Sequence, residues 1–135
     1  MAAIVLDTFA LVAFFRDEDG AGEVEKILIE ALNKRQQLYV CSYNAGEIYY
    51  ATWRKDGKAM ADISRTKLLQ LDITIIEADL QLTFEAAAIK ATHKLSYADA
   101  HAAALALHLN ATLLTGDTEF ESLRDVKGFK VKYII

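Results

Sequence analysis

The chain has 135 residues, of which 53% are hydrophobic and 25% charged, as is typical of one globular domain rather than a disordered protein. Its net charge of −4 argues against binding nucleic acid by phosphate neutralisation alone, because proteins that bind in this way are usually basic. The single cysteine, Cys41, excludes an internal disulfide framework, and no signal-peptide or membrane-spanning pattern is present, so we expect a cytoplasmic protein.

Short apolar runs alternate with helical patterns along the chain. Strands are predicted over 3–7, 38–42, 72–78, 111–115 and 129–135. Helices are predicted over 8–16, from 23, over 44–54, from the turn at 55–58 to about 71, and over 79–93, 97–109 and 119–124. The acidic segment 17–19, with Gly20 and Gly22, predicts an exposed loop. Because each strand is apolar on both faces, the pattern predicts an α/β fold with a parallel sheet between helices.

Four acids lie next to predicted strand ends or in the first turn of predicted helices. Asp7 ends the first strand, and Asp117 follows the fourth strand after Gly116. Glu47 and Asp99 each lie in the first turn of a helix. The carboxyl ends of parallel strands lie along one edge of the sheet, and ligands bind at that edge. We therefore expect the acids that follow strands to meet there, whereas Asp99 follows a helix and needs tertiary packing to reach it.

Each acid also has a purely structural explanation. The pairs Asn44–Glu47 and Ser96–Asp99 have the spacing of a capping box, and the other two acids suit an N-cap. Capping does not require four acids at one edge, where like charges repel unless a proton or a cation lies between them. Because Mg²⁺ and Mn²⁺ prefer oxygen ligands, the set of acids predicts a site for a divalent cation.

Four segments resemble the motifs of PIN-domain ribonucleases, and in particular those of the VapC toxins of toxin–antitoxin pairs. The segments are IVLDTFAL, NAGEIYYA, LSYADAHAAALA and ATLLTGDTEF, in the family's order and approximate spacing. The resemblance implies a three-layer α/β/α PIN-like fold with a five-stranded parallel sheet, formed as one domain by residues 1–135. It also implies Mg²⁺- or Mn²⁺-dependent cleavage of RNA, inhibition by a VapB-like antitoxin, and a homodimer.

The resemblance also assigns roles to individual residues. The catalytic, metal-binding acids of the family match Asp7, Glu47, Asp99 and Asp117. Glu119 matches an additional metal-binding acid, which binds the cation directly or through water, and Thr115 matches a hydroxyl residue that often lines the site. Phe9 departs from the pattern, since many members have a small polar residue at that position.

Other features of the sequence have less specific interpretations. A zinc site is not indicated, because no Cys partner or His–Glu signature accompanies the histidines His93, His101 and His108. Three aromatic residues after Glu47 are typical of a core, of an interface, or of a contact with an antitoxin or a second subunit: Tyr49, Tyr50 and Trp53. Five bases either line an RNA groove or belong to an exposed helix pair: Arg54, Lys55, Lys58, Arg65 and Lys67. The main alternative function is a non-catalytic PIN-like module that binds RNA or protein, although all four acids are present.

Overall fold

A five-stranded sheet forms the centre of the structure, a computed structural model that describes residues 2–135. The strands are β1 (Ala2–Leu6), β2 (Gln36–Cys41), β3 (Thr74–Ile76), β4 (Thr112–Thr115) and β5 (Lys130–Tyr133). The helices are α1 (Thr8–Phe15), α2 (Ala21–Leu32), α3 (Ser42–Asp56), α4 (Lys58–Gln70), α5 (Leu80–Thr92) and α6 (Tyr97–His108), with a 3-10 helix at Thr118–Leu123. The predicted order of strands and helices is confirmed.

The strand order β3-β2-β1-β4-β5, with every neighbouring pair parallel, determines where a ligand can bind. The chain builds outward from β1 through β2 to β3, and then returns to the other side of β1 to form β4 and β5. The order of the strands therefore reverses between β1 and β4, and a crevice forms beyond the carboxyl ends of strands at such a point. Leu6 pairs with Leu114 at this point, and the backbone N–H of Asp7 donates to the Leu114 carbonyl at 3.4 Å.

Helices cover both faces of the sheet. Successive side chains of a strand point to opposite faces, so Ile4 and Leu6 pack against α1, α2, α3 and α4. Val5 and Leu113 lie on the other face and pack against α5, α6 and the 3-10 helix. The result is the three-layer α/β/α arrangement that the sequence predicts. In the part of the chain that the structure describes, no helix is both long and apolar enough to cross a membrane.

Several element boundaries differ from the predictions, and two of the differences have clear local reasons. The helix predicted from residue 23 begins at Ala21, because Gly20 adopts φ 92° and serves as its N-cap. A Cβ at Gly20 would lie 2.6 Å from Ile134 Cδ1, so both the backbone and the packing require glycine there. The strand predicted over 72–78 is limited to Thr74–Ile76, since the N–H of Ala78 donates to Ser42 Oγ and leaves the strand pairing.

Candidate active site

Asp7 is buried at the carboxyl end of β1, at the centre of the sheet. It is the N-cap of α1, and its Oδ1 accepts a hydrogen bond from the N–H of Ala10 at 2.9 Å, as an N-cap requires. Its Oδ2 accepts a hydrogen bond from Thr115 Oγ1, at the end of β4. Only 1% of Asp7 is exposed to solvent, so the carboxylate has a fixed orientation and little access to water.

Burial raises the pKa of Asp7 from 3.8 to about 7, because the charged form loses its hydration. The hydrogen bonds from Thr115 and Ala10 oppose this shift, whereas the negative charges of Asp99 and Asp117 add to it. At neutral pH, a proton and a cation therefore compete for this carboxylate. The structural role predicted for Asp7 is thus real, but an N-cap does not require burial of the acid beside two others.

Asp117 and Glu119 lie just beyond β4. The N–H of Asp117 donates to Thr115 Oγ1 at 3.0 Å, so the same hydroxyl contacts both Asp7 and Asp117. Asp117 is the N-cap of the 3-10 helix, since its Oδ1 accepts a hydrogen bond from the N–H of Glu119 at 2.9 Å. Both carboxylates also reach a third acid, Asp99: one oxygen from each of the three lies within 4.8 Å of the other two.

Asp99 reaches this group from α6, which covers the same face of the sheet as the 3-10 helix. It lies in the first turn of α6, where its N–H donates to Ser96 Oγ at 3.1 Å, so Ser96 is the N-cap of the helix as predicted. The pKa of Asp99 is raised from 3.8 to about 6. Burial is the largest cause and the charges of Asp117, Glu47 and Glu119 contribute, whereas the hydrogen bond with Ser96 opposes the shift. Repulsion among these acids thus adds to the effect of burial, and a cation between them would relieve it.

Glu47 lies in the wall of the same opening. It is half-buried on α3 and lines a cleft of about 470 Å³, together with Asp99, Asp117 and Glu119. Among the described residues, Glu47 and Asp7 are outside the group of acids that lie within 4.8 Å of one another. The structure thus brings three of the five predicted acids into mutual contact range, with a fourth in the cleft wall and the fifth buried beside Thr115.

Asn44 has a role that the sequence analysis did not predict. The proposed capping box at Asn44 and Glu47 is wrong, because α3 already begins at Ser42 and Asn44 is completely buried. Its Nδ2 donates to Thr8 Oγ1 at 3.2 Å and to the Ala98 carbonyl at 3.1 Å, which ties α3 to α1 and to α6. Its Oδ1 is buried without a hydrogen-bond partner among the described residues. The signal that could have indicated this role is a polar residue three positions before a functional acid, on the same helical face.

The histidine at position 101 packs within the protein rather than in the cleft. Only 1% of His101 is exposed, and its ring stacks on Tyr43 at 4.2 Å between centroids. Its Nδ1 lies 2.8 Å from the Tyr97 carbonyl, which can only accept, so Nδ1 carries a proton. His101 is therefore a helix-packing residue, consistent with the absence of a zinc signature.

Comparison with known proteins identifies both a sequence family and structures of the same fold. The family model described as the PIN domain matches residues 4–126. No match to the chain was found among curated proteins.

Several solved structures are similar over nearly their full length. VapBC2 from Rickettsia felis, bound to a promoter DNA fragment, superposes with a TM-score of 0.74 at 20% identity and covers 97% of this chain and 98% of that one. DNA-bound VapBC from Salmonella typhimurium superposes with a TM-score of 0.73 at 17% identity, over 100% of both chains. VapC20 from Mycobacterium tuberculosis, described as a toxin that cleaves the sarcin–ricin loop, superposes with a TM-score of 0.72 at 16% identity and covers 90% of this chain and 95% of that one. At these identities, the similarity shows a shared fold.

Proposed function

Since the chain belongs to the PIN domain family, we propose that it is a metal-dependent endoribonuclease of the VapC toxin type. The observation that carries the proposal is the convergence of Asp99, Asp117 and Glu119 within 4.8 Å, beside Glu47 and the buried Asp7. A structural neighbour described as a toxin that cleaves the sarcin–ricin loop supports RNA as the substrate.

The residues present fit a Mg²⁺ or Mn²⁺ ion. All five side chains offer carboxylate oxygens, the ligands that these cations prefer. The pKa values of Asp7 and Asp99 are raised to about 7 and about 6, so a cation would relieve an unfavourable burial of negative charge. We assign Asp7, Glu47 and Asp99 as principal ligands, with Asp117 acting directly or through water and Glu119 as an additional ligand. A bound cation would polarise a phosphoryl oxygen and lower the pKa of water.

The protein's own groups hold these acids in place. Thr115 orients Asp7 and Asp117 through one hydroxyl group, and Ala10 N–H orients the other oxygen of Asp7.

In-line attack of water on phosphorus would break the bond to the 3′ oxygen and leave a 5′-phosphate and a 3′-hydroxyl. Solvent in the open cleft would accept the proton removed from the attacking water and would supply a proton to the departing 3′ oxygen.

The neighbouring structures also support a partner. The Rickettsia felis and Salmonella typhimurium structures are VapBC complexes bound to DNA. We propose that this chain is inhibited by a VapB-like antitoxin, that it forms a homodimer, that residues 1–135 make a single PIN domain, and that it acts in the cytoplasm.

The proposed activity is tested with purified protein, free of any antitoxin, and a pool of structured and single-stranded RNAs. Reactions contain Mg²⁺, Mn²⁺ or EDTA, with Asp7→Asn and Asp99→Asn as test variants. Asp72→Asn is the matched control, because Asp72 is an exposed acid that precedes β3, at the opposite edge of the sheet. We expect cation-dependent cleavage by the wild type and the control only. A wild type that neither cleaves RNA nor binds a cation by calorimetry would favour the non-catalytic binding module.

A further inference from the structure

Two aromatic side chains that remain exposed to solvent line the acidic cleft. Phe9, on α1, is 41% exposed, and Tyr50, on α3, is 48% exposed. Both are part of the wall that also contains Glu47, Asp99 and Asp117. Large rings gain free energy by burial, so rings left open beside a polar cleft indicate a surface that a ligand covers.

The position of Phe9 depends on a glycine beside one of the acids. A Cβ at Gly116 would lie 2.1 Å from Phe9 Cε1, so the ring occupies the space that any other residue at position 116 would need. The ring therefore lies against the backbone that leads directly to Asp117.

Tyr50 combines a ring with a nearby positive charge. It lies one helical turn after Glu47, on the same face of α3. The guanidinium carbon of Arg54 lies 5.2 Å from the centroid of the Tyr50 ring. One turn further, Lys58 Nζ lies 5.6 Å from the centroid of the Trp53 ring. Two pairs of an aromatic ring and a basic side chain thus lie along α3 and into α4, beginning at the cleft, although the whole chain has a net charge of −4.

Aromatic rings paired with basic side chains suit single-stranded RNA. Aromatic rings stack on nucleobases, and arginine or lysine pairs with the phosphates between them. A double helix keeps its bases stacked within the duplex, so it cannot offer them to protein rings. An acidic peptide would match only the basic side chains, and an apolar peptide would match only the aromatic rings. An unpaired RNA strand matches both and also brings a phosphodiester to the acids.

We propose that Phe9 and Tyr50 stack on the two bases that flank the scissile phosphate, and that Arg54 binds the next phosphate of the same unpaired strand. This inference rests on the proposed nuclease function and specifies its substrate as RNA with unstacked bases at the cleavage site. Phe9 and Tyr50 are then substrate-binding residues, which hold the phosphodiester over the acids.

Binding of two labelled RNAs tests the proposal. Fluorescence anisotropy is measured with a fluorescein-labelled single strand about twelve nucleotides long and with the same strand in a duplex, in Mg²⁺. The parent protein carries Asp99→Asn so that the RNA stays intact. Phe9→Leu and Tyr50→Leu remove a ring but keep apolar volume, whereas Phe9→Tyr and Tyr50→Phe keep the ring. Phe84→Leu is the matched control, since Phe84 is a 65% exposed ring on α5.

We expect each leucine variant to weaken binding of the single strand by about five- to a hundredfold, and to leave duplex binding unchanged. The ring-retaining variants and the Phe84 control should bind as the parent does. Thermal melting shows that each variant is folded, and Tyr50→Leu carries the test alone if Phe9→Leu is unstable. Unchanged affinity in both leucine variants, or equal loss for strand and duplex, would overturn the proposal.

Two further outcomes separate this proposal from the nuclease function. Cation-dependent cleavage by the protein with Asp99 intact, together with ring-independent binding, refutes only the role of the rings. Absence of cleavage with any cation, together with ring-dependent binding of the single strand, refutes the nuclease function instead. A change in oligomeric state by light scattering in Tyr50→Leu, without a change in RNA affinity, would reassign Tyr50 to a protein contact and overturn its proposed role.

Discussion

Replacing Asp7 with asparagine should make the cation-free protein more stable at pH 8 while abolishing cleavage. The folded-state pKa of Asp7 is about 7, raised from 3.8. The folded protein therefore keeps this proton more tightly than the unfolded chain, so the favourable contribution is complete below pH 3.8 and is lost as the pH rises through 7. By linkage, the wild type loses about 2.5 kcal/mol from this residue between pH 5 and pH 8.

Asparagine is nearly isosteric and does not ionise, so the Asp7→Asn variant lacks this loss. The asparagine Oδ1 can still accept a hydrogen bond from the N–H of Ala10. Its Nδ2, however, must donate to Thr115, whereas Oδ2 of Asp7 accepts from Thr115 in the wild type, and this change costs about 1 kcal/mol at any pH. The difference in free energy of unfolding between variant and wild type should therefore grow by about 2.5 kcal/mol from pH 5 to pH 8. Asp99 titrates in both proteins, and its repulsion of Asp7, the part that does not cancel, is already included in the raised pKa of Asp7.

Urea denaturation in EDTA at intervals of about half a pH unit measures this difference, and thermal melting should show a relative shift of roughly 10 °C. EDTA is essential because a bound cation would replace the proton and mask the effect. Asp72→Asn serves as the control, with a difference that does not change with pH. The raised pKa of this buried carboxyl group would be refuted if the difference in free energy of unfolding between Asp7→Asn and the wild type did not change with pH. A wild type whose stability rises from pH 5 to pH 8 would refute it as well.

Three further predictions concern the same site. At pH 7.5, a cation at about a hundred times its Kd should stabilise the wild type and Asp72→Asn by about 2.7 kcal/mol in thermal melts, and Asp99→Asn by much less; equal shifts would place the cation elsewhere. Gly116→Ala should lower the free energy of unfolding by about 1–3 kcal/mol, because the new Cβ overlaps the Phe9 ring, and Phe9→Ala in the same protein should restore most of it; two additive losses would contradict this contact. Asn44→Ala should cost about 1–3 kcal/mol in urea denaturation, since the buried Ala98 carbonyl and the part-buried Thr8 hydroxyl lose their donor, and should weaken cation binding measured by calorimetry; a neutral effect on both would show that α3 does not position α6 through this amide.

Much of the fold follows from patterns that are local in the sequence. Runs that are apolar on both faces belong to buried parallel strands, and their alternation with helices leaves few possible topologies. The carboxyl ends of such strands share one edge, so Asp7 and Asp117 could be assigned to the same place without any coordinates. The N-cap roles of Asp7, Asp117 and Ser96 are also local, because capping depends on residues two or three positions away.

Tertiary structure alone decided how the acids come together and how far burial and charge repulsion raise their pKa values. Asp99 follows a helix, and the packing of α6 against α3, through the buried Asn44 amide and the Ala98 carbonyl, brings it to Asp117 and Glu119. The pKa of Asp7 depends on its burial in the folded protein and on the opposing hydrogen bond from Thr115, which lies 108 residues further along the chain. Periodicity in the sequence indicates which face of an element is buried, but not which distant residues lie beside that face. Charge repulsion and desolvation depend on the distances between such residues, and the packing of the helices determines these distances.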